Sequence, residues 1–487
     1  MARMSVAEIE RYLWGAANIL RGAVSAADYQ DYVYPLIFYK WLSDRHDEAR
    51  AAALAASGGD TSYAEAREHY EWVLPSARSW SELRSVPADI GEWLTEAFGE
   101  IERENPRLAG VFSSGARWTN KEKVSDRTLA ALIEHLSTRT LDSASISEDE
   151  LGNGYEYLIR EFASDGGHNA QEFYTNRTVV HLMTEILQIK EGERVYDPTC
   201  GTAGMLINAA ARLRERGQDA AKLKLYGQEI KAESASIART NLYLHGIREF
   251  EIRVGDTLLN PRFLSGDRLE TFDVVLANPP YSMDLDQTFW AQDPWGRNGF
   301  GTPPPGNADY AFFEHILASM DPATGRSATL WPHGILFRTP EIRKAILEVD
   351  LIEAGIGLGP DLFYNSPMES CVVICRSKKS TDRQGRVLLI DASKDYVKRG
   401  KQSELTEEHQ RKIADAYLSF SDQEGYSKAV SVEEVLGNDG LLSVAKYISP
   451  KSINGISLAH AYSEWRTAIE ALAVAGAVVN GEVGTNQ

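Results

Sequence analysis

The chain has 487 residues, 43% of them hydrophobic and 25% charged, which is the composition of a globular protein with two or three domains. Its formal net charge of −19 at pH 7 argues against a protein that grips DNA unaided, because a basic face usually supplies much of that affinity. The charged amino terminus predicts that the protein has no export signal, and the longest apolar run, nine residues (471–479), is too short for a membrane span. The three cysteines lack metal or disulfide spacing, which predicts a cytoplasmic protein without a metal.

Residues 1–160 are predicted to form a helical domain. Apolar and aromatic residues recur at spacings of three and four in "YVYPLIFYKWLSDR" and in "LGNGYEYLIREFA", which is the pattern of helices with a buried face. The segments between these two, such as "AAALAASGGDTSYAEA", are more polar and contain glycine, and they predict looser connections.

Residues 161–400 predict a doubly wound α/β domain. The helix near Lys231–His245 is followed by Gly246, where a glycine cap is expected. Helices of this length between strands favour a mostly parallel sheet whose ligands bind at the carboxyl ends of the strands. The β-prone runs are "RVYDP", "LKLYGQE", "FEIRVGD", "FDVVLANPP", "SATLWP", "LIEAGIGL", "CVVICRSK" and "RVLLIDAS".

After residue 400 the pattern becomes helical and charged again. The segments "TEEHQRKIADAYLSF" and "SEWRTAIEALAVAG" both have helical spacing of apolar residues. Residues 401–487 are therefore predicted to be a C-terminal helical region.

The first strand of the α/β domain ends in "YDPTCGTAGML", residues 196–206. Asp197 stands at the strand tip, and Gly201 and Gly204 allow the backbone to approach a ligand closely at the start of a helix. The segment lacks the lysine and hydroxyl of a phosphate-binding Walker loop and departs from GxGxxG, which disfavours a nucleoside triphosphate or a dinucleotide. A tight turn without a ligand is the alternative.

The next two strands also end in acids. Glu229 follows Asp197 by 32 residues, one βαβ unit further on, where an acid can bind both ribose hydroxyls of an adenosine ligand. Asp256 ends the third strand, in a position to meet the adenine edge. Each acid alone could be a solvated strand end, but three successive acidic tips followed by "NPPY" at residues 278–281 favour a ligand site.

Together these motifs resemble the S-adenosylmethionine-dependent amino-methyltransferases. The order, with "QEFYTNRTVV" (171–180) before the glycine loop and "NPPY" after it, is similar to the γ class of N6-adenine DNA methyltransferases. The helical leader and the segments "GNADYAFFEHIL", "WPHGILFR", "DLFYNSPMESCVVI" and "LLIDASKDYVKRGKQSEL" resemble the modification subunit of type I restriction–modification systems. The resemblance covers roughly residues 10–450, with Asn176 where the family often has proline.

The resemblance implies a Rossmann-like methyltransferase sheet, S-adenosylmethionine as cofactor and double-stranded DNA as substrate. It also implies a specificity subunit that reads the sequence, with two modification subunits to one specificity subunit, and a motor–nuclease subunit added for cleavage. The catalytic positions that it implies are Asn278, Pro279, Pro280 and Tyr281. The implied cofactor-binding positions are Phe173, Tyr174, Thr175, Asp197, Pro198, Thr199, Gly201, Thr202, Gly204, Met205, Glu229, Asp256, Thr257 and Asn278.

The "NPPY" turn suits the chemistry of an amine whose lone pair is delocalised. Acceptors aimed at both hydrogens favour a more tetrahedral nitrogen and stabilise its developing positive charge, and the Asn278 side-chain and Pro279 backbone carbonyls are candidates. Prolines stiffen the turn and have no N–H, so its carbonyls face outward. Tyr281 offers a stacking face worth about 1–3 kcal/mol, which offsets part of the cost of flipping a base out of a duplex.

The segment after "NPPY", residues 282–308, is rich in glycine, proline and aromatic residues. Its length predicts a mobile loop that closes over the flipped base, in which Trp290, Trp295 and Phe300 either stack or simply anchor the loop. Asp309 and Tyr310 open the next helix and are candidates for the target pocket or for helix capping.

Two other functions remain open from the sequence. Protein-glutamine and RNA methyltransferases use a similar turn, so a standalone enzyme of that kind is the alternative; it predicts activity without DNA or a partner. A non-catalytic scaffold with the same fold is a third possibility, and failure to bind the cofactor would support it.

Overall fold

The computed structural model describes residues 3–25, 28–165, 175–362, 368–400 and 402–448. Its helices are α1 (Val6–Leu20), α2 (Tyr29–Ala56), α3 (Thr61–Ala64), α4 (Trp80–Arg84), α5 (Ile90–Glu104), α6 (Asp126–Leu136), α7 (Glu148–Asp165), α8 (Arg177–Leu187), α9 (Gly204–Glu215), α10 (Ala232–Leu244), α11 (Gln287–Ala291), α12 (Asp309–Ala318), α13 (Pro340–Glu348), α14 (Glu407–Ser419), α15 (Val432–Gly437) and α16 (Val444–Tyr447). Its strands are β1 (Arg194–Asp197), β2 (Lys224–Glu229), β3 (Phe250–Val254), β4 (Leu264–Ser265), β5 (Arg268–Leu269), β6 (Val274–Ala277), β7 (Arg326–Pro332), β8 (Ile352–Leu358), β9 (Ser370–Arg376), β10 (Arg386–Ala392), β11 (Val397–Arg399), β12 (Gln402–Glu404) and β13 (Ser427–Ser431).

The amino-terminal region is helical, and α2 is its central element. Residues 32–43 of α2 are buried without interruption, because aromatic and aliphatic side chains occupy every side of the helix there. Such a helix forms a core only when other helices surround it, and α1, α4, α6 and α7 supply that cover. The predicted helical character of this region is confirmed.

The remainder is built on a nine-stranded sheet with the order β13-β10-β8-β9-β7-β6-β1-β2-β3. Its neighbouring strands are parallel except where β9 meets β7 and β8 and where β13 meets β10. The predicted mixed α/β fold with a mostly parallel sheet is therefore confirmed, with β9 and β13 as the two strands that run the other way.

Helices cover both faces of this sheet. Along β6, Val274 and Leu276 belong to the apolar core under α8, α9 and α10, whereas Val275 and Ala277 belong to the core under α12 and α13. Alternate residues of a strand point to opposite faces, so a strand buried on both faces must be apolar throughout. This explains why β6, directly before "NPPY", contains no polar residue.

The strand order reverses between β1 and β6. From β1 the chain continues outward through β2 and β3, and it then returns to the other side of β1 to form β6 and β7. The loops that follow β1 and β6 therefore diverge at the carboxyl edge of the sheet and leave a crevice between them. Open α/β sheets bind their ligands at this position.

Residues after 400 contain both helices and strands. The segment "TEEHQRKIADAYLSF" forms α14 as predicted, but β12 and β13 interrupt the expected helical pattern, and β13 is the edge strand of the main sheet. The helix predicted in "SEWRTAIEALAVAG" lies outside the described residues. Within the described ranges, no helix has the length and hydrophobicity needed to cross a membrane.

Candidate active site

A cavity of about 360 Å³ lies beyond the carboxyl ends of β1, β2, β3 and β6, where the strand order reverses. This volume is typical of sites for small ligands. All four strand ends that the sequence singled out contribute to its wall. The predicted site residues that line the cavity are Thr175, Asp197, Pro198, Thr199, Gly201, Thr202, Gly204, Met205, Glu229, Asp256, Thr257, Asn278 and Pro280.

The loop after β1 turns sharply along one wall of this cavity. Gly201 has a φ of +51°, which is in the left-handed region that glycine adopts without steric cost. Its N–H donates to Oε2 of Glu229 at 3.1 Å and so ties this loop to the end of β2. Helix α9 then begins at Gly204, as the sequence predicts.

Two carboxylates are buried side by side at the ends of β1 and β2. Asp197 is only 2% exposed, and its Oδ1 accepts from the N–H of Thr199 at 3.0 Å. Burial, with a contribution from the charge of Glu229, raises the pKa of Asp197 to about 7. Burial also raises the pKa of Glu229. A carboxylate in this position is stabilised by a ligand that brings hydrogen-bond donors or positive charge.

Asp256, just after β3, both lines the cavity and holds the loop that follows it. It lies on the cavity wall, and its Oδ1 also accepts from the N–H groups of Leu258 and Leu259, at 2.8 and 2.9 Å. The hydroxyl of the next residue, Thr257, donates to the carbonyl of Pro198. The third loop is thereby held against the first.

Asn278 follows β6 and connects the cavity to the "NPPY" turn. Its Nδ2 donates to Oγ1 of Thr175 at 2.9 Å, and its Oδ1 accepts from the hydroxyl of Tyr281. These two partners fix the orientation of the amide, with the carbonyl and the NH₂ group assigned by the hydrogen bonds that each can make. A carbonyl oxygen has two lone pairs, so Oδ1 retains the capacity to accept a second hydrogen bond.

Tyr281 and Pro279 lie outside the cavity lining. The Tyr281 ring is partly buried beside Trp331, with ring centroids 6.3 Å apart, and its hydroxyl lies 3.1 Å from the carbonyl oxygen of Leu330. Its side chain is thus directed toward β7. The stacking role predicted for Tyr281 stays a prediction, whereas its contact with Asn278 was not anticipated.

The structure describes only part of the motif "QEFYTNRTVV" (171–180). Phe173 and Tyr174 lie outside the described residues, and Thr175 lies on the cavity wall. Asn176 begins α8: its Oδ1 accepts from the N–H of Thr178 at 3.1 Å, and its Nδ2 donates to the carbonyl of Ser403 at 2.9 Å. An asparagine at this position therefore caps α8 and ties it to β12.

Several lining residues were not predicted from the sequence. Glu156 and Ile159 come from α7 of the helical region, and Phe312 comes from α12. Phe312 stands in "GNADYAFFEHIL", which carries the family resemblance, so the motif was a usable signal. No local pattern distinguishes Glu156 from the other acids of α7. The remaining residues of this kind are Arg177, Val180, Cys200, Asn208, Ile230, Lys231, Leu258, Leu259, Met283, Asp284, Leu285 and Asp286.

Among the charged residues of the lining, acids outnumber cations. Its cationic side chains are Arg177 and Lys231, and its carboxylates are those of Glu156, Asp197, Glu229, Asp256, Asp284 and Asp286. Arg177 is also paired with Glu156. An excess of carboxylates in a half-enclosed site favours a ligand that carries positive charge.

The segment between "NPPY" and α12 is anchored in its middle. Trp290 is fully buried, and its indole N–H donates to Oε2 of Glu314 at 3.1 Å. Arg297 and Asp293 form a buried ion pair, and Arg297 also donates to the carbonyls of Thr257 (2.9 Å) and Leu258. For Trp290 the structure thus favours the anchoring alternative over stacking on a base.

Trp295 and Phe300 are partly buried in the same segment. The guanidinium of Arg297 lies 4.9 Å from the Trp295 ring, and Phe300 packs against the apolar core on the α12 side of the sheet. Of the two residues that open α12, Tyr310 is buried and its hydroxyl donates to the carbonyl of Ile335 at 2.8 Å. Tyr310 therefore packs in the core in this structure, and its candidate role in the target pocket stays a prediction.

Comparison with known families gives two matches that together span most of the chain. Residues 146–455 match the family described as N-6 DNA Methylase, and residues 9–136 match the HsdM N-terminal domain. The first match includes the glycine loop, the three acidic strand ends and "NPPY".

Individual relatives agree with these matches. A type I restriction-modification methyltransferase subunit from Streptococcus thermophilus is 30% identical, with a TM-score of 0.77 over 92% of this chain and 100% of that one. The MjaIX methylase subunit of Methanocaldococcus jannaschii is 28% identical over 91% of this chain and 84% of its own. The HindI methylase subunit of Haemophilus influenzae is 28% identical over 77% of this chain and 89% of its own. The chain belongs to the N-6 DNA methylase family, as a methyltransferase subunit of the type I restriction–modification kind.

Proposed function

We propose that this chain transfers a methyl group from S-adenosylmethionine to N6 of a flipped-out adenine in double-stranded DNA, within a type I restriction–modification complex. The observation that carries the proposal is the position of Asn278. Its amide is oriented by Thr175 and Tyr281 on the wall of a cavity of cofactor size in which acids outnumber cations.

The residues of the cavity fit S-adenosylmethionine. Its positive charge suits a lining with more carboxylates than cations, and its ribose and ammonium donors suit the buried acids Asp197 and Glu229. Glu229 would hold the ribose hydroxyls, Asp256 would meet the adenine edge and Thr175 would lie toward the methionine end. When bound, S-adenosylmethionine supplies a methyl group that is already activated by the sulfonium charge.

The protein acts on the adenine amine through hydrogen-bond acceptors. Asn278 Oδ1 and the Pro279 carbonyl would accept from the two amine hydrogens, which favours a tetrahedral nitrogen and stabilises the charge that develops on it. Because Tyr281 and Thr175 already fix the Asn278 amide, little reorganisation is needed when the base arrives.

The assembly follows from the same proposal. We infer a helical domain (1–160), a catalytic domain (161–400) and a carboxyl-terminal region (401–487) that docks a specificity subunit, with two modification subunits to one specificity subunit. A motor–nuclease subunit would join for cleavage. The net charge of −19 supports dependence on a partner, because a chain this acidic gains little from phosphate neutralisation on its own.

The alternatives predict different requirements. A standalone protein-glutamine or RNA methyltransferase would act without DNA and without a second subunit. A scaffold that has lost catalysis would fail to bind the cofactor. The similarity to type I methylase subunits along nearly the whole chain favours the DNA substrate over both.

The test is sequencing of genomic DNA from the native host by a single-molecule method that reads N6-methyladenine. It compares cells with the wild-type chain and cells with Asn278→Ala. We expect a methylated two-part motif in the wild type that disappears in the variant. Loss of a mark at a short continuous motif would indicate a solitary DNA enzyme, and no change in cells that express both proteins would contradict the proposed DNA substrate.

A further inference from the structure

The residue directly after the catalytic turn adopts an unfavourable backbone conformation. Ser282 has a φ of +55°, in the left-handed region that residues with a Cβ rarely occupy outside special turns. This conformation determines the direction in which the chain leaves Tyr281. A contact that holds Ser282 there therefore also constrains the geometry of residues 278–281.

Asp309 makes such a contact. Its Oδ1 accepts from the N–H of Ser282 at 2.9 Å, and its side chain is largely buried, with 7% of the residue exposed. The backbone adds a second link, because the N–H of Ala308 donates to the carbonyl of Met283 at 3.0 Å. The start of α12 thus holds both residues that follow "NPPY".

The capping alternative for Asp309 does not explain its contacts. At the start of α12 the side chain of Asn307 accepts from the N–H of Asp309 at 3.0 Å, while the Asp309 carboxylate turns away to Ser282. Burial raises the pKa of Asp309, whereas the Ser282 N–H and the charge of Arg338 lower it. A buried carboxylate that accepts a backbone N–H in this way gives a strong, directional bond.

We propose that Asp309 is a positioning residue for methyl transfer: it holds Ser282 in the left-handed conformation and thereby aligns the acceptor groups of Asn278 and Pro279. The inference rests on the proposed role of the 278–281 turn. It assigns Asp309 no contact with the cofactor, since Asp309 lies outside the cavity lining.

Four variants test the inference in the complete complex: Asp309→Ala, Asp309→Asn, Ser282→Gly and the double variant Asp309→Ala with Ser282→Gly. Asp309→Ala should lower kcat at least tenfold and leave the affinity for S-adenosylhomocysteine within twofold of wild type. Asp309→Asn retains an acceptor oxygen and should lose less. Ser282→Gly should be near wild type and should restore most of kcat in the double variant, because glycine adopts the left-handed conformation without the bond.

Controls separate positioning from general destabilisation. Asp321→Ala removes a carboxylate that accepts from Ala323 and Thr324 just beyond the far end of α12, and it should leave kcat unchanged. Hydrogen exchange provides a readout independent of catalysis: the amides of residues 282 and 308, which donate the two bonds of this contact, should exchange faster in Asp309→Ala. Equal exchange in variant and wild type, or failure of Ser282→Gly to restore kcat, would overturn the inference. An inactive wild type with faster exchange in Asp309→Ala would instead contradict the proposed function.

Discussion

Asp197 is a carboxylate that folding buries before any ligand arrives. Its pKa in the folded protein is about 7, above the value of about 3.9 in an unfolded chain. The folded state therefore binds a proton that the unfolded state has lost, so this group's contribution to stability falls as pH rises from about 4 to about 7. A positively charged ligand offsets this cost. The fold therefore loses stability at a residue that we expect to bind the ligand.

We expect Asp197→Asn to stabilise the folded protein and to weaken its binding of the cofactor. At pH 8 the variant should melt a few degrees higher than the wild type, because it no longer buries a charge, and this difference should shrink toward pH 4. Its affinity for S-adenosylhomocysteine should fall at least a hundredfold. Thermal melts across this pH range and calorimetric titration measure both effects. A pH-independent difference in melting temperature would contradict the assignment of the raised pKa to Asp197.

We expect the hydroxyl of Tyr281 to orient the Asn278 amide and its ring to stack on the target base. Tyr281→Phe removes only the hydroxyl and should lower kcat about tenfold, because the Asn278 amide loses one of its two orienting partners. Tyr281→Trp should retain more activity than Tyr281→Ala if the ring also stacks on the base. Steady-state kinetics on DNA with the complete complex gives these values. Equal losses in the tryptophan and alanine variants would count against stacking.

The sequence revealed the site residues that lie directly at strand ends. Asp197, Glu229 and Asn278 could be found because each ends or directly follows a short β-prone run that can be recognised locally. Glu156 could not, because a residue on α7 reaches the cavity only through the packing of the helical region against the sheet. The same limit applies to Asp309: its position was noted, but its bond to Ser282 depends on how α12 meets the loop.

The segment of residues 282–308 shows that prediction from the sequence is limited in a similar way for whole segments of the chain. Its glycines and prolines predicted mobility, yet the structure buries Trp290 and a complete ion pair within it. Composition describes how freely a chain can turn, whereas burial depends on which partners lie nearby. Eight of the nine strands of the sheet were predictable from β-prone runs, whereas β13 lies in a region that was predicted to be helical. The reversed directions of β9 and β13 depend on pairings between segments far apart in the chain.

Arg297 is expected to couple this segment to cofactor binding. Arg297→Met leaves Asp293 buried without its partner, which typically costs about 3–5 kcal/mol, and it releases the carbonyls of Thr257 and Leu258 on the cavity wall. We therefore expect both a lower melting temperature and at least tenfold weaker binding of S-adenosylhomocysteine.

A matched control for this change is Arg343→Met. Arg343 is also buried and also donates to backbone carbonyls, those of Gly440 and Arg338, but neither of these residues lines the cavity. It should lower the melting temperature and leave cofactor affinity unchanged. If both arginine variants weakened the cofactor equally, the effect would be one of general stability and the coupling would be wrong.

At the scale of the whole molecule, the proposed cofactor site and the surface where we expect the partner to bind lie in different parts of the chain. The cavity residues that the structure describes lie between Glu156 and Phe312, and they come from the helical region and the sheet alike. Tyr243 and Leu244 of α10 belong to the core of the amino-terminal helices, so the two parts share apolar contacts next to the site. Cofactor binding should therefore be complete in the isolated chain, while DNA binding should depend on assembly.

Deletion of residues 451–487 tests this separation. We expect the shortened chain to bind S-adenosylhomocysteine within twofold of wild type, to be captured poorly by a tagged specificity subunit, and to methylate DNA at less than a tenth of the wild-type rate. The physical reason is electrostatic: with a net charge of −19, the chain needs a partner to supply the contacts that neutralise phosphates. Full-length Asn278→Ala is the control, since it should assemble normally and fail only in transfer. Unchanged capture of the shortened chain would move the docking surface elsewhere, and weakened cofactor binding would mean that the deleted residues also support the catalytic domain.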